Sequence, residues 1–396
     1  MEATARPRLS AALRQGEQVT PLELFFDLVF VLALTQCTAL MADEPTWEGL
    51  GKALLVLAVL WWSWGGYAWL TNLVDPEEGI VRIAMFGAMA AFLVAALCVP
   101  EAFGDAALLF ALAYAVVRTA HIVLYAIASR GDRDLRASVI GLAVSTAIGV
   151  GLLVAASFAD GTLQAAIWVM AIVLDYGGPY LYGVGGWKMT PHHFAERFGL
   201  IVIIALGESI VAIGVGVPKG DLDAGIVVAA VLGITVAAAL WWLYFDVVAL
   251  VAVRRLENAE PGRERNSIGR DSYGYLHLPM VAGIVLLALG MKKTLGHVED
   301  PLKLVPAVAM LGGTAMYLIA HVAFRLRNVH RLSHQRLLVA AVSLALIPAA
   351  VELPALATLG ILAALLSALI VYESVRFAEL RDRLRHQVAH DAAAAG

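Results

Sequence analysis

Apolar runs of about twenty residues recur along the whole chain, and that recurrence leaves it few folds. A helix needs roughly twenty residues to cross the hydrocarbon core of a bilayer. Inside that core only helices and closed barrels can satisfy their own backbone. Such runs occupy 21–42, 48–71, 80–100, 105–129, 136–158, 162–183, 192–217, 224–250, 273–292, 303–325, 335–352 and 355–377. The expected fold is all-α, a polytopic transmembrane helical bundle of about 12 spans. Composition points the same way, with 61% hydrophobic and 15% charged residues and a mean hydropathy of +0.80. Soluble domains are about half apolar and a quarter charged.

Basic residues orient the spans, because cytoplasmic connections carry an excess of Lys and Arg. Of the 28 Lys and Arg residues, 22 fall in the N-terminal segment and every second connection. Five fall on the other side, and Arg118 lies within a span. Both termini are therefore expected in the cytoplasm. The expected organisation is a tail over 1–20, a six-helix unit over 21–183, a second over 190–377 and a tail over 378–396. The polar stretch 254–272 is expected to be a cytoplasmic loop within the second unit.

The two sixes echo one another. Glu23-Leu-Phe-Phe matches Glu196-Arg-Phe-Gly, Trp61-Trp62 matches Trp241-Trp242, and Ala120-His121 matches Ala320-His321. Arg136 matches Arg336, and Asp175 matches Glu373. Six helices per copy give both copies one orientation, so a parallel internal repeat is expected.

Function is sought in the ionisable residues inside the spans, each costly there without a partner or a wet cavity. Glu23 and Asp27 are four apart on one face of helix 1, with Gln36 deeper on a neighbouring stripe. Arg118 and His121 share a face of helix 4, and Asp175 precedes a Gly- and Pro-rich end of helix 6 that suggests a broken helix. Arg118 pairs naturally with Asp175 or Asp27. Helix 7 carries His192, His193, Glu196 and Arg197, whose spacing suits an ion-pair network better than a metal site. Glu208 and Ser209 follow, with Glu208 roughly 18 Å deeper than Glu196. Tryptophans crowd helix 2 beyond what an interfacial belt needs.

Other classes are set aside. A net charge of −4 and the lack of a basic stripe with interleaved aromatics point to no nucleic-acid partner. Cys37 and Cys98 sit in separate apolar runs, which suits neither a disulfide framework nor a zinc site. No phosphate-binding glycine loop, nucleophile elbow or HExxH motif is present. No metal, no cofactor and no enzymatic activity are expected.

Val19-Thr-Pro-Leu-Glu-Leu-Phe-Phe-Asp-Leu-Val-Phe-Val31 and the stretch from His193 to Ile210 resemble the bacterial low temperature requirement A (LtrA) family, as does Trp-Trp-x-Tyr-Phe-Asp at 241–246. The resemblance covers nearly the whole chain and implies a multi-pass protein of a bacterial inner membrane. It carries the motif residues Glu23, Phe26, Asp27, Glu196, Arg197, Gly207 and Glu208, and no molecular activity. Phe-Phe-Asp in a two-by-six arrangement is also similar to the lysosomal potassium channel family. There Phe26 replaces the family's serine, and Leu200 stands at the aspartate position of the second copy.

The leading expectation is a secondary transporter or permease for a small solute or ion, with proton coupling through Glu208 as an option. Its polar pathway would comprise Glu23, Asp27, Gln36, Arg118, His121, Asp175, Glu196, Arg197, Glu208 and Ser209. The alternatives are a cation channel and a non-transporting protein of cold or stress adaptation, in which the same charges form a closed network. The partners expected are the lipid bilayer and that small solute or ion. A homodimer is compatible with the sequence.

Overall fold

The computed structural model describes Arg14 and residues 18–217 and 222–378. Most of the expected N-terminal tail, and the C-terminal tail from 379 onward, lie outside the described residues. The helices are α1 (Pro21–Asp43), α2 (Trp47–Leu70), α3 (Gly79–Leu97), α4 (Ala107–Ala128), α5 (Arg133–Ala156) and α6 (Gly161–Leu181). They continue with α7 (Pro191–Gly216), α8 (Ala224–Phe245), α9 (Val248–Glu257) and α10 (Arg263–Ile268), which runs on as wide π-type turns over Gly269–Tyr275. The series ends with α11 (His277–Gly296), α12 (Leu304–Val329), α13 (His334–Ala345), α14 (Ile347–Ala350) and α15 (Ala355–Arg376).

Local chemistry sets these boundaries. Thr20 caps α1 in a reciprocal capping box with Glu23, and Pro21 occupies the first turn, where its missing N–H costs nothing. Asp132 caps α5 by accepting from the backbone N–H groups of Leu135 and Asp134 at 3.0 and 3.1 Å. Those bonds and the Lys188 ammonium at 3.0 Å hold its carboxyl below the usual range. Asp223 caps α8 through the Ile226 N–H at 2.7 Å.

Ten helical stretches among the described residues are long and apolar enough to cross a membrane, where twelve spans were expected. α8 with α9, and α10 with α11, make two of them, each 34 residues long. The two shortfalls have physical reasons. α6 forms as a helix of 21 residues, but Gln164, Asp175 and the Gly-Gly-Pro at 177–179 dilute its apolar character. The expected span 335–352 is broken at Leu346, ahead of Pro348, into α13 and α14. Twelve residues reach only about 18 Å. The Gly- and Pro-rich end of α6 is not broken, since the helix runs through Pro179 to Leu181.

The segment 254–272, expected as a loop, is largely helical. Asn266 anchors it, since its buried amide donates to the carbonyls of Val184 and Trp187 at 2.8 and 2.7 Å.

The chain divides into two compact units, Met1–Ile204 with Leu256–Leu278, and Ala205–Arg255 with Pro279–Gly396. In the first unit α1 shows the inside-out pattern of a membrane helix: Leu24, Phe25 and Leu28 are exposed while Glu23, Phe26, Asp27 and Phe30 are buried. In the second unit α11 and α12 touch backbone to backbone. A Cβ on Gly283 would lie 2.5 Å from the Gly313 carbonyl oxygen, and one on Gly313 would lie 2.6 Å from that of Gly283. A Cβ on Gly290 would collide with the Met310 side chain. Small residues of this kind let membrane helices pack closely where no hydrophobic force distinguishes lipid from protein.

Gly313→Val must therefore push the two backbones apart. The expected cost is about 1–3 kcal/mol, read as a lower melting temperature of the detergent-purified protein. Gly312→Ala, one residue away with only Val308 nearby, is expected to melt like the parent.

Candidate functional site

Two rungs of buried charge join α1 to α7 in the first unit. The upper rung is Glu23 with His193, Nε2 to Oε1 at 2.9 Å, and the lower is Asp27 with Arg197. Partners in both rungs are 170 residues apart, so the two helices run in the same direction at that register. Arg197 grips Asp27 with a fork, Nη1 to Oδ2 at 2.9 Å and Nη2 to Oδ1 at 2.8 Å. Trp64 Nε1 donates to the same Oδ1 at 2.8 Å, and its ring lies under the guanidinium at 5.8 Å. Glu23 Oε2 accepts from the Thr20 N–H at 2.8 Å, and from Arg14 Nη1 at 3.2 Å. All four ladder residues are at most 1% exposed. Glu196 faces elsewhere, half-buried and accepting from the Val19 N–H at 3.2 Å.

Arg118, His121 and Asp175 form a separate cluster among α4, α5 and α6. Arg118 Nη2 makes every bond of this guanidinium, to Thr146 Oγ1 at 2.5 Å and to the Asp175 oxygens at 3.3 and 3.4 Å. The pair is end-on and long, unlike the fork at Asp27. His121 Nε2 lies 2.9 Å from the Gly66 carbonyl and must donate there, so a neutral His121 turns an unprotonated Nδ1 away.

Arg118 and His121 stand in the wall of a cavity of about 80 Å³. Trp61, Trp62, Trp69, Trp187 and Tyr125 give it aromatic sides, and Gly65 and Gly66 an open backbone edge. The π-type segment closes it with Arg270 and Gly274, and Trp61 Nε1 donates to the Gly274 carbonyl at 2.8 Å. Arg270 is itself held by Asp271 at 2.7 Å and by the Tyr180 ring at 3.9 Å. No carboxylate lies among the described residues of the wall, whereas two guanidinium groups do. Trp62 Nε1 and Arg118 Nε are buried without a hydrogen-bond partner. Asp175 lines a much smaller void, of about 10 Å³.

The expected single pathway therefore falls into parts. The structure brings together Glu23, Asp27 and Arg197, and separately Arg118, His121 and Asp175. Gln36 is half-buried further along α1. Glu208 and Ser209 are buried in the second unit, where Ser209 Oγ donates to the Leu206 carbonyl at 2.6 Å. Sequence reasoning missed His193 as the partner of Glu23, although its i, i+4 spacing to Arg197 repeats that of Glu23 and Asp27. It also missed Trp64, buried and bonded rather than part of a belt. Arg336 is the third omission. In the second unit it grips Glu373 through Nε at 2.8 Å and Nη2 at 2.6 Å, and Nη1 contacts His321.

Removing one partner of a buried pair leaves the other uncompensated, at about 3–5 kcal/mol. Arg197→Gln and Asp27→Asn are each expected to lower the melting temperature sharply. The double variant is expected to fall by less than the sum of the two, as a melting series on all four proteins would show.

The comparisons agree with this architecture. The family described as "Bacterial low temperature requirement A protein (LtrA)" matches residues 18–371. An uncharacterized protein of Rhizobium meliloti is 31% identical over 307 residues, covering 75% of this chain and 74% of that relative. No solved structure matches the chain. The many apolar helices and the match over most of the chain make this a polytopic membrane protein that belongs to the bacterial low temperature requirement A family.

Proposed function

We propose that this protein is a secondary transporter of the bacterial inner membrane, carrying a small anion bound in the aromatic cavity beside Arg118. One observation carries the assignment: of the two buried arginine–aspartate pairs in the first unit, the loosely held Arg118–Asp175 places its guanidinium in a cavity wall. The Arg197–Asp27 fork satisfies both carboxylate oxygens and leaves a solute nothing to compete for. Arg118 spends Nη2 alone on Asp175 and Thr146, at distances to Asp175 near the outer limit of a hydrogen bond; Nε is unbonded in both arginines, so the terminal nitrogens make the difference. An incoming carboxylate can therefore share this guanidinium without first breaking a tight pair.

The sign of the solute follows from the wall. Two guanidinium groups and no lining carboxylate disfavour a cation, which also weighs against the cation-channel alternative at this place. Aromatic sides suit a small planar group approached edge-on, since ring edges carry positive potential. Gly66 sets the size limit, because a Cβ there would lie 2.8 Å from His121 Cε1 and 3.3 Å from Arg118 Nη1. Glu208, a buried carboxylate deep within α7, is assigned the proton-coupling role. The internal repeat read from the sequence would suit an alternating mechanism of the kind duplicated transporters use, and the common direction of α1 and α7 at the ladder is compatible with it.

Purified protein in proteoliposomes is expected to take up a short carboxylate such as acetate or lactate with saturation, and not potassium. Arg118→Gln should cut that uptake by at least tenfold, the scale of one lost charge-assisted contact. An outward-directed proton leak through Glu208 is not required. Instead, Glu208→Gln should abolish the acceleration produced by an imposed pH gradient while leaving exchange intact. Carboxylate uptake indifferent to Arg118→Gln would refute the site, and potassium conductance in place of carboxylate uptake would refute the transporter.

A further inference from the structure

The second unit holds a larger cavity that plays no part in the transport assignment. It measures about 520 Å³ and is walled by the ends of α8, α12 and α15, the start of α13 and one side of α9. Its depth in the membrane follows from the helices that build it. Arg325 stands one turn from the end of the apolar helix α12, and Arg331 lies in the turn just beyond. That turn opens at His330, whose φ of 56° puts a non-glycine residue in the left-handed region. A span that ends here places the cavity at the level of lipid headgroups.

Its charges are unequal in number and in use. Arg325, Arg331 and Arg336 line it against Asp246 and Glu373. Glu373 is occupied by the two-pronged grip of Arg336. Arg325 donates to Ser333 Oγ at 3.2 Å and feels the Glu373 carboxylate that Arg336 already grips, and Arg331 is exposed on its turn. Arg336 and Arg331 repel Arg325 while Glu373 offsets part of that repulsion, and an anion among the three arginines would relieve the rest. The wall also holds apolar residues, among them Val251 from α9 and Phe377 beyond α15. α9 itself ends in Arg254 and Arg255, the composition of a helix that lies in the interface.

We propose that this cavity binds the headgroup phosphate of an anionic phospholipid drawn from the surrounding bilayer. Arg325 and Arg331 donate to the phosphate, and the α9 side accommodates the glycerol and upper acyl chain. Arginine suits this task because its planar fork matches phosphate oxygens. Basic pockets between spans on the cytoplasmic side are where such headgroups dock, and this end of the chain carries its arginine-rich connections. A soluble phosphate would use the two arginines equally well but would gain nothing from the apolar wall residues.

Native mass spectrometry of the full chain, released from nanodiscs of mixed phosphatidylglycerol and phosphatidylcholine, tests the proposal. Phosphatidylglycerol is expected to remain bound preferentially. Arg331→Gln is expected to weaken that retention about fivefold, and Arg325→Gln with Arg331→Gln about 25-fold. Arg325→Lys with Arg331→Lys should retain most of it. Arg331→Gln sits on an exposed turn, so it decides the matter should the glutamine pair fail to fold. Equal retention of the two lipids, or a folded glutamine pair that holds phosphatidylglycerol as the parent does, overturns the proposal. So does stabilisation by millimolar inorganic phosphate where phosphatidylglycerol gives none, since the ligand would then be a free anion.

Discussion

Burying ionised groups away from water is tolerable only when nearly every lone pair and proton finds a partner, and the ladder between α1 and α7 satisfies all of its carboxylate oxygens, leaving Arg197 Nε and His193 Nδ1 without a hydrogen bond. Asp27 receives three donors on two oxygens, and Glu23 receives His193, Arg14 and its own capping threonine. Much of the first unit follows from this arrangement. Two rungs one turn apart fix both the rotation and the register of the pair, because a slip of one residue turns a helix by about 100° and unpairs both. Trp64 ties α2 to the lower rung through Asp27. Phe30, Trp61 and Phe198 then pack around its ring at centroid distances of 5.0–5.8 Å. With α2 so placed, Trp61, Trp62 and Trp69 can stand in the cavity wall.

The two units solve a similar problem with different helices. Each has a histidine on its fourth helix of the proposed repeat, His121 or His321, and an acid on its sixth, Asp175 or Glu373. In the first unit the guanidinium comes from α4, as Arg118. In the second, Leu318 occupies the matching position and the guanidinium arrives from the start of α13, as Arg336. Its counterpart Arg136 is exposed in the first unit. Keeping the acid and the histidine while relocating the cation is what a duplication under divergent constraint would leave. The relocation also changes the bond, since Arg336 reaches Glu373 with a fork while Arg118 meets Asp175 end-on.

Some of this was legible in the chain and some was not, for identifiable reasons. Span positions are encoded locally, in runs of apolar residues, so most helix boundaries followed from composition and capping residues. Charge inside a span is rare enough to mark itself, which exposed Glu23, Asp27, Arg118, Asp175 and Arg197 as residues in need of partners. Which partner each would find is a property of packing. Spacing alone left Arg118 to pair with Asp175 or Asp27, and only the packing of α1 against α7 gives Asp27 to Arg197. His193 read as one of a histidine pair because nothing local announces a carboxylate 170 residues away. Arg336 read as a flanking residue because it starts a helix, where arginine is common. The stretch 254–272 read as a loop because it is polar, and the anchor of its Asn266 lies on the distant carbonyls of Val184 and Trp187.

A membrane protein can hold a buried arginine in two ways, and the first unit contains both. One is to commit both terminal nitrogens, as at Arg197, which forks onto Asp27 and lays its face on Trp64 while Nε stays without a hydrogen bond. Such a group is fixed: any movement exposes a charge to a medium that cannot solvate it. The other is to leave part of it unspent beside a space, as at Arg118. That choice forfeits stability, because Arg118 bonds through Nη2 alone, at 3.3 and 3.4 Å to Asp175, where Arg197 commits both terminal nitrogens. A fold whose helices already converge on Asp27 has no structural need for a second arginine so loosely paired. The forfeited stability is explained if Arg118 is completed by something that comes and goes, and a mobile anion in the tryptophan-walled space beside it is the simplest group able to do so.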